Sequence, residues 1–574
     1  MRRFLPFLDW FPKYQKKDFR NDMMAGLTVG IILIPQGMAY AMIAGLPPVY
    51  GLYAALVPIL VYAFLGTSRQ VAIGPVAMDS LVVAAGLGTL AISGIEDYIL
   101  MALFLSFMVG LFQLSLGLLR MGFLVNFMSK PVINGFTSAA AFIIIFSQMK
   151  HLLGVELANS NKFHEQVINT IQSIPLANFY DLGIGVVGIF LLMAIKKWFR
   201  NWPATLIVVV MATAAVYFFD LERHGVEIVG VVPAGLPSFQ FHNFSWVKVT
   251  EIWPIALALA LIGYLEMISI GKALEEKNNV ETMDPNQELV ALGTANMVGS
   301  FFQSYPVTSS FSRSAINRDA GARSPIASLI SMLMVVLTLL FLTHLFYYLP
   351  IAALASIIMF SVVGLIDLNY PEYLWKQHRD EFAVLGITFL FTLSIGIVEG
   401  ILIGVLLALL LMVYRTSKPH FAVLGNIKGS DYYKNVNRFG EEIVIREDLL
   451  IVRFDSQLYF GNTTYFKSEL FKYIHAKGPR LKGVILNAEA ITYIDASASN
   501  MMIQVINEIH KMGIKFYIAG AIGPTRDIIF NTGIINTLDK SHLFVKIKEA
   551  VAYFDDPNSV PDLWEKVAFQ NLGH

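Results

Sequence analysis

Cysteine is absent from this chain, and charged residues fill only 15% of its 574 positions. The first absence removes disulfides, thiolate nucleophiles and sulfur-ligated zinc from consideration. The second, together with 56% hydrophobic residues and a mean hydropathy of +0.60, is too apolar a balance for a soluble domain and points to a polytopic membrane protein. None of the 11 histidines forms a metal-ligand pair at helical spacing. No phosphate-binding glycine loop and no nucleophile elbow occurs, so enzyme readings have little to stand on. Lysine plus arginine equals aspartate plus glutamate at 42 each, so net charge points to no partner, and no nucleic acid is expected.

Where charge is missing says more than how much there is. Thr28 to Gly66 and Phe382 to Val398 carry none, and Ser324 to Ile366 carry only a histidine. Such runs are long enough to cross a bilayer. Hydropathy predicts about fourteen crossings or part-crossings between residues 23 and 415. With the amino terminus inside, the even connections hold Arg69, Arg120, Lys130, Lys196, Lys197, Arg318 and Arg323, while the short outer connections hold no Lys or Arg. By the positive-inside rule both termini are expected in the cytoplasm. Residues 1–22, with Arg2, Arg3, Lys13, Lys16, Lys17 and Arg20 but no apolar core and cleavage site, read as a retained cytoplasmic arm.

A proline-led helix start occurs twice in apolar surroundings, at Ile73-Gly74-Pro75-Val76-Ala77-Met78-Asp79-Ser80 and at Ser304-Tyr305-Pro306-Val307-Thr308-Ser309-Ser310-Phe311-Ser312-Arg313. A helix that begins inside a membrane leaves its first amides unpaired, and its dipole puts roughly half a positive charge there. Such an end attracts anions. Two broken helices at matching places in two halves are the best sequence pointer to a transporter's midplane site. An offset of about 230 also sets the first span opposite the eighth and Gln36 opposite Glu266, which supports a duplication. Seven spans per half is odd, so the halves, near 23–219 and 251–415, must be inverted.

Beyond Tyr414 the pattern changes. Residues 416–440 read as a polar linker, 441–555 as a small α/β domain with strands near Leu449–Phe454, Leu481–Leu486 and Ile514–Ala519, and 556–574 as a tail. The string IPQGMAYAMIAGLPPVYGLYAAL from Ile34 to Leu56, GTSR at Gly66 to Arg69, GPVA at Gly74 to Ala77 and SFSRSAIN at Ser310 to Asn317 resemble the SulP anion permeases, and the segment around Ile494-Asp495-Ala496-Ser497-Ala498 resembles their STAS domain. The matches run from about residue 20 to 552. The resemblance implies fourteen spans in two inverted repeats, split into a core and a gate domain, and a homodimer in the cytoplasmic membrane. It implies a small anion such as sulfate, bicarbonate, chloride or a dicarboxylate, held near Gln36, Tyr40, Val76, Phe311, Ser312 and Arg313. No cofactor is implied beyond a coupling proton or sodium ion.

Each of these residues has a plainer use. Arg313 can clamp an oxyanion, or pair permanently with Asp79 or Glu266. The hydroxyls from Thr308 to Ser312 can cap helix amides with or without a ligand. Glu266, the one charge between Ile252 and Gly271, costs a few kcal/mol at that depth unless solvated or paired. It is either a coupling-ion residue, as the resemblance implies, or half of an ion pair with Lys272 or Arg313. Asp79, one turn from an anion-binding start, opposes a dianion unless it is protonated, holds a cation or faces away. Tyr40 and Phe311 can wall the site or merely pack. In the STAS-like domain Ala496 stands where related anti-sigma antagonists carry a phosphorylated serine, which excludes that switch and leaves Ser497 as a helix cap and the domain as a folding, dimer or regulatory-partner surface. The expectation is alternating-access symport of a sulfate-like anion, with anion exchange as the rival and a non-transporting sensor as the reading from another class.

Overall fold

The computed structural model describes residues 6–90, 92, 94–123, 129–155, 163–199, 202–241, 246–278, 283–364, 366–439 and 443–558. The chain separates into two compact units, Met1–Ala408 and Leu409–His574.

In the first unit the spans of two inverted seven-span repeats sort into two helical groups, each drawing on both halves. One group holds Lys16–Ile43, Val57–Leu65, Ala77–Leu87 and Ile95–Leu118 from the first half, with Trp246–Asn278, Pro285–Ser300, Phe311–Asp319 and Ile326–Leu337 from the second. The other holds Lys130–Leu153, Phe179–Trp198, Ala204–Phe218, Ile351–Val363, Arg379–Ser394 and the first-unit part of Ile397–Ser417, where Gly404 lies against Thr388 and Val132. These are the core and the gate. Lipid offers no hydrophobic drive between helices, so close association relies on small residues at the contact. In the core, a Cβ on Gly110 would stand 2.5 Å from Met297 N, and one on Gly293 would stand 2.4 Å from Leu114 N, so the fourth and ninth spans touch backbone to backbone. Gly26 does the same for the first and eleventh spans, its Cβ direction ending 2.4 Å from Ala327 O. In the gate, Gly135 lies against Leu385 O and Gly188 against Ser356.

Along one end of the unit an extended stretch joins the seventh and eighth spans. Its backbone bonds first to the gate, where Ile351 N donates to Glu227 O (2.9 Å) and Val229 N to Leu349 O (2.9 Å), and then to the core, where Gln240 N donates to Phe301 O (2.8 Å).

Two expectations are corrected here. Residues 16–22 are not part of an arm but the first turns of the first span: Gln15 and Asp18 close a capping box, and Asp22 is fully buried. The basic residues that masked this start lie on a helix extending past the apolar run. Residues 416–440 are not a linker either, since Phe421–Ile427 and Tyr433–Asn435 are strands. Phe421 to Leu424 pair antiparallel with Phe454 to Ile451, and the surrounding polar residues hid that short apolar run. The expected tail falls outside the described residues after Asn558.

The second unit is a sheet in the order Tyr433–Asn435, Phe421–Ile427, Leu449–Phe454, Gly483–Asn487, Lys515–Ala519 and Leu543–Phe544, with Ile443–Val444 also on Phe421–Ile427. The last four strands run parallel. Helices Thr463–Lys477 and Ala496–Lys511 pack with the larger apolar core, and Ile547–Asp555 covers the opposite cluster around Tyr517 and Phe544. Asp495, not Ser497, caps the Ala496–Lys511 helix, accepting from Ala498 N at 2.7 Å. Its second oxygen accepts from Phe460 N at 2.8 Å.

Candidate functional site

The two proline-led segments meet. Ile73–Gly74 and Thr308–Ser309 form a two-stranded antiparallel ladder, Ile73 opposite Ser309 and Gly74 opposite Thr308. Each strand feeds directly into a short helix, Ala77–Leu87 or Phe311–Asp319, so both helix starts lie at one crossing. Proline removes a donor beside each strand, Pro75 directly after Ile73–Gly74 and Pro306 two residues before Thr308–Ser309.

Their ends differ. The second short helix is capped by its own chain: Ser310 Oγ accepts from Arg313 N (3.4 Å), and Ser310 N donates to Ala72 O (2.9 Å). Ser314 Oγ accepts from Ala72 N at 2.9 Å, stitching the two segments from the other side. The first short helix has Val76 at its cap position and no side-chain cap.

Arg313 is fully buried, and its three guanidinium nitrogens have no hydrogen-bond partner among the described residues. The ion pair with Asp79 or Glu266 considered from sequence is therefore not formed, and the Lys272 side chain lies outside the described ones. The guanidinium rests against Gly74, whose Cβ direction ends 3.3 Å from Nη2, and lies near Tyr40 and Tyr305. Tyr305, missed in the sequence, is fully buried and shares a 3.0 Å hydrogen bond with Ser80 of the first short helix.

Asp79 and Glu266 come together near the crossing. Asp79 is buried in the first turn of its helix, Glu266 lies one turn beyond the Gly263 carbonyl that accepts from Thr308 Oγ1 (2.8 Å), and the two carboxyls lie within electrostatic reach of each other. Asp79 Oδ1 and Glu266 Oε2 are both buried without a partner among the described residues. With Arg313, the crossing holds one more acid than base. Gln36 is buried too, its Oε1 also unpartnered, and the neighbouring Gly37 faces Pro75. Tyr40 is buried one turn further on, while Val76 is half-buried. Phe311 and Ser312 are exposed on the first turn of the second short helix, outside the packed interior. Ser309 adds a buried, unpartnered hydroxyl on the ladder itself.

Two other buried acids show what a structural carboxylate looks like here. Glu288 accepts from Tyr62 OH (2.8 Å), Thr67 N (2.7 Å), Ser68 N (3.1 Å) and the Thr67 hydroxyl. Asp22 accepts from Arg323 N (2.6 Å), Ser324 N (3.1 Å), Ser324 Oγ (2.6 Å) and Tyr14 OH (3.0 Å). Both were missed in the sequence, where a lone acid near a span end reads as solvated.

With this geometry in place, the profile of the Sulfate permease family matches residues 19–388 and that of the STAS domain matches 442–550. The chain belongs to the sulfate permease family. Among curated relatives it is 37% identical over 567 residues to "Sulfate transporter 4.1, chloroplastic" of Arabidopsis thaliana, covering 95% of this chain and 82% of that one. It is 32% identical over 577 residues to "High affinity sulfate transporter 2" of Stylosanthes hamata, covering 96% and 86%. Among solved structures it superposes with a TM-score of 0.89 and 26% identity on murine Solute Carrier 26 family member A9, an anion transporter in its inward-facing state, over 96% of this chain and 94% of that one. The sulfate permease family consists of membrane transporters, so this chain is an integral membrane transporter and not an enzyme.

Proposed function

We propose that this sulfate permease family member carries a small anion, sulfate ahead of bicarbonate and dicarboxylates, by alternating access in the cytoplasmic membrane, as a homodimer with both termini and the STAS domain in the cytoplasm. The observation that carries the reading is the buried Arg313 guanidinium, without a hydrogen-bond partner among the described residues, behind two converging helix starts. A permanent charge left uncompensated at that depth is costly, and a transient anion offsets it. The uncapped first turn at Val76, the neighbouring Gln36 and the accessible Ser312 provide donors for it, and Tyr40 and Phe311 provide apolar surface.

Coupling to a proton or sodium ion follows from the charge balance. Adding an anion to a crossing that already holds an excess acid requires a cation, and the neighbouring Asp79 and Glu266 carboxyls are the groups able to take one. Alternating access is rocking of the core, which carries the whole crossing, against the gate.

Uptake of labelled sulfate, bicarbonate and fumarate into proteoliposomes tests this, each with and without an inward proton or sodium gradient, for wild type and Glu266→Gln. Gradient-driven accumulation of one anion that Glu266→Gln abolishes supports symport and names the substrate. Flux that needs an anion on the far side and ignores gradient and substitution makes the protein an exchanger. No flux of any anion in a folded protein leaves the sensor reading.

A further inference from the structure

We infer that Asn296, oriented by Gln113, is a positioning residue for the anion site, a role that rests on the proposed anion reading. Asn296 belongs to the Pro285–Ser300 span, outside both short helices, and is fully buried. Its carboxamide acts as a substitute strand neighbour for Val307: Oδ1 accepts from Val307 N at 2.8 Å, and Nδ2 donates to Val307 O at 3.0 Å. Only one orientation of the amide fits a peptide in this way, since its oxygen must face the N–H and its nitrogen the carbonyl. That orientation is held from behind, because Nδ2 also donates to Gln113 Oε1 at 3.1 Å and Gln113 Nε2 donates to Ala260 O at 3.3 Å.

Val307 is the residue immediately before the Thr308–Ser309 strand. The amide chain therefore runs from the eighth span through the fourth and ninth to the first peptide of the ladder, and the ladder aims the second short helix and Arg313. Elsewhere in this segment Thr308 Oγ1 holds the Gly263 carbonyl and Ser310 N holds Ala72 O. Among the described residues, the Val307 peptide groups are satisfied by the Asn296 side chain alone. Without it, a buried N–H and a buried C=O lose their partners, and the cheapest escape is for the segment to shift toward other partners or water. A shift there moves the ladder and the helix start behind it.

The experiment is steady-state uptake, in proteoliposomes, of whichever of sulfate, bicarbonate and fumarate the wild type carries. It compares wild type with Asn296→Ala, Asn296→Asp, Gln113→Leu and Arg313→Ala. Asn296→Ala is expected to raise KM about tenfold with Vmax changed by less than about twofold. Asn296→Asp, which keeps the acceptor for Val307 N but loses the donor to Val307 O, raises KM at least as far. Gln113→Leu leaves the Val307 pairing in place but releases its orientation, and raises KM by a smaller factor. It also decides the matter if the Asn296 variants do not fold. KM within about twofold of wild type in the folded variants, with losses confined to thermal stability and Vmax, overturns the inference, because that is the outcome of a residue that only joins helices. If Arg313→Ala transports as wild type does, the anion-site reading falls with it. If Arg313→Ala is inactive while Asn296→Ala keeps its KM, only the positioning role fails.

Discussion

Gly74→Ala is the substitution that presses hardest on the crossing. Gly74 adopts a φ of +141°, which side-chain-bearing residues rarely reach, and it is the residue against which Arg313 rests. A residue forced into such a region costs on the order of 1–3 kcal/mol. The new Cβ would sit 3.3 Å from Arg313 Nη2 and 3.7 Å from Leu33 Cδ1. Comfortable contacts are about 3.5–4.0 Å, so the guanidinium has to retreat by a few tenths of an ångström. If about 2 kcal/mol of this strain falls on the anion-bound geometry, KM rises about 25-fold. The control is Gly94→Ala: φ there is +87°, and no atom lies within 4 Å of the added Cβ, so it carries backbone strain without displacing any side chain. Proteoliposome uptake gives KM, and thermal unfolding in the same lipid gives stability. Gly74→Ala is expected to move both, and Gly94→Ala only stability. Equal KM in the two variants, or a Gly74→Ala protein indistinguishable from wild type, refutes the reasoning.

Other outcomes follow from the packing. Gly293→Val inserts bulk where a Cβ already meets Leu114 N at 2.4 Å, so the fourth and ninth spans must separate; a loss of about 1–3 kcal/mol, read as a fall in unfolding temperature, is expected. Asp22→Asn keeps the shape but gives up charge-assisted bonds to Ser324 and Tyr14, and should lower the unfolding temperature without changing the anion preference measured by uptake. In the second unit, Arg446 grips Asp448 through Nε (3.0 Å) and Nη2 (2.8 Å), and these hydrogen bonds hold the Asp448 carboxyl below its usual range. A depressed carboxyl stabilises the fold above the unfolded value of about 4, and that contribution disappears as pH falls through the lower folded value. Hydrogen-exchange protection in the Leu449–Phe454 strand, taken relative to the intrinsic rate at each pH, should therefore fall on acidification below about pH 4 in the wild type, and with a weaker pH dependence in Arg446→Met.

The membrane character, the fourteen-span inverted architecture, the two short helix starts and the family were legible because each rests on local signals: long uncharged runs, paired prolines, motifs in order. Where those signals overlapped they misled. Basic residues disguised the first turns of the opening span at Lys16, and polar neighbours disguised the Phe421–Ile427 strand, since a strand that short declares itself only by what it pairs with.

The site's chemistry is of the second kind. Local sequence placed Arg313, Asp79 and Glu266 near helix starts and inside spans, because hydropathy and the dipole of a helix end depend on neighbours along the chain. Whether each charge is satisfied depends largely on atoms distant in sequence, and that only the tertiary structure decided. It gave Glu288 donors from Tyr62 and the Thr67–Ser68 loop, gave Asp22 donors from Arg323 and Ser324, and left Arg313, Asp79 and Glu266 with unpartnered atoms around one ladder. The same distinction separates Asn296 from an ordinary polar residue in a span. Its type is written in the sequence, but the peptide it holds is set by backbone-close packing of the fourth and ninth spans, which brings Gln113 within 3.1 Å of it.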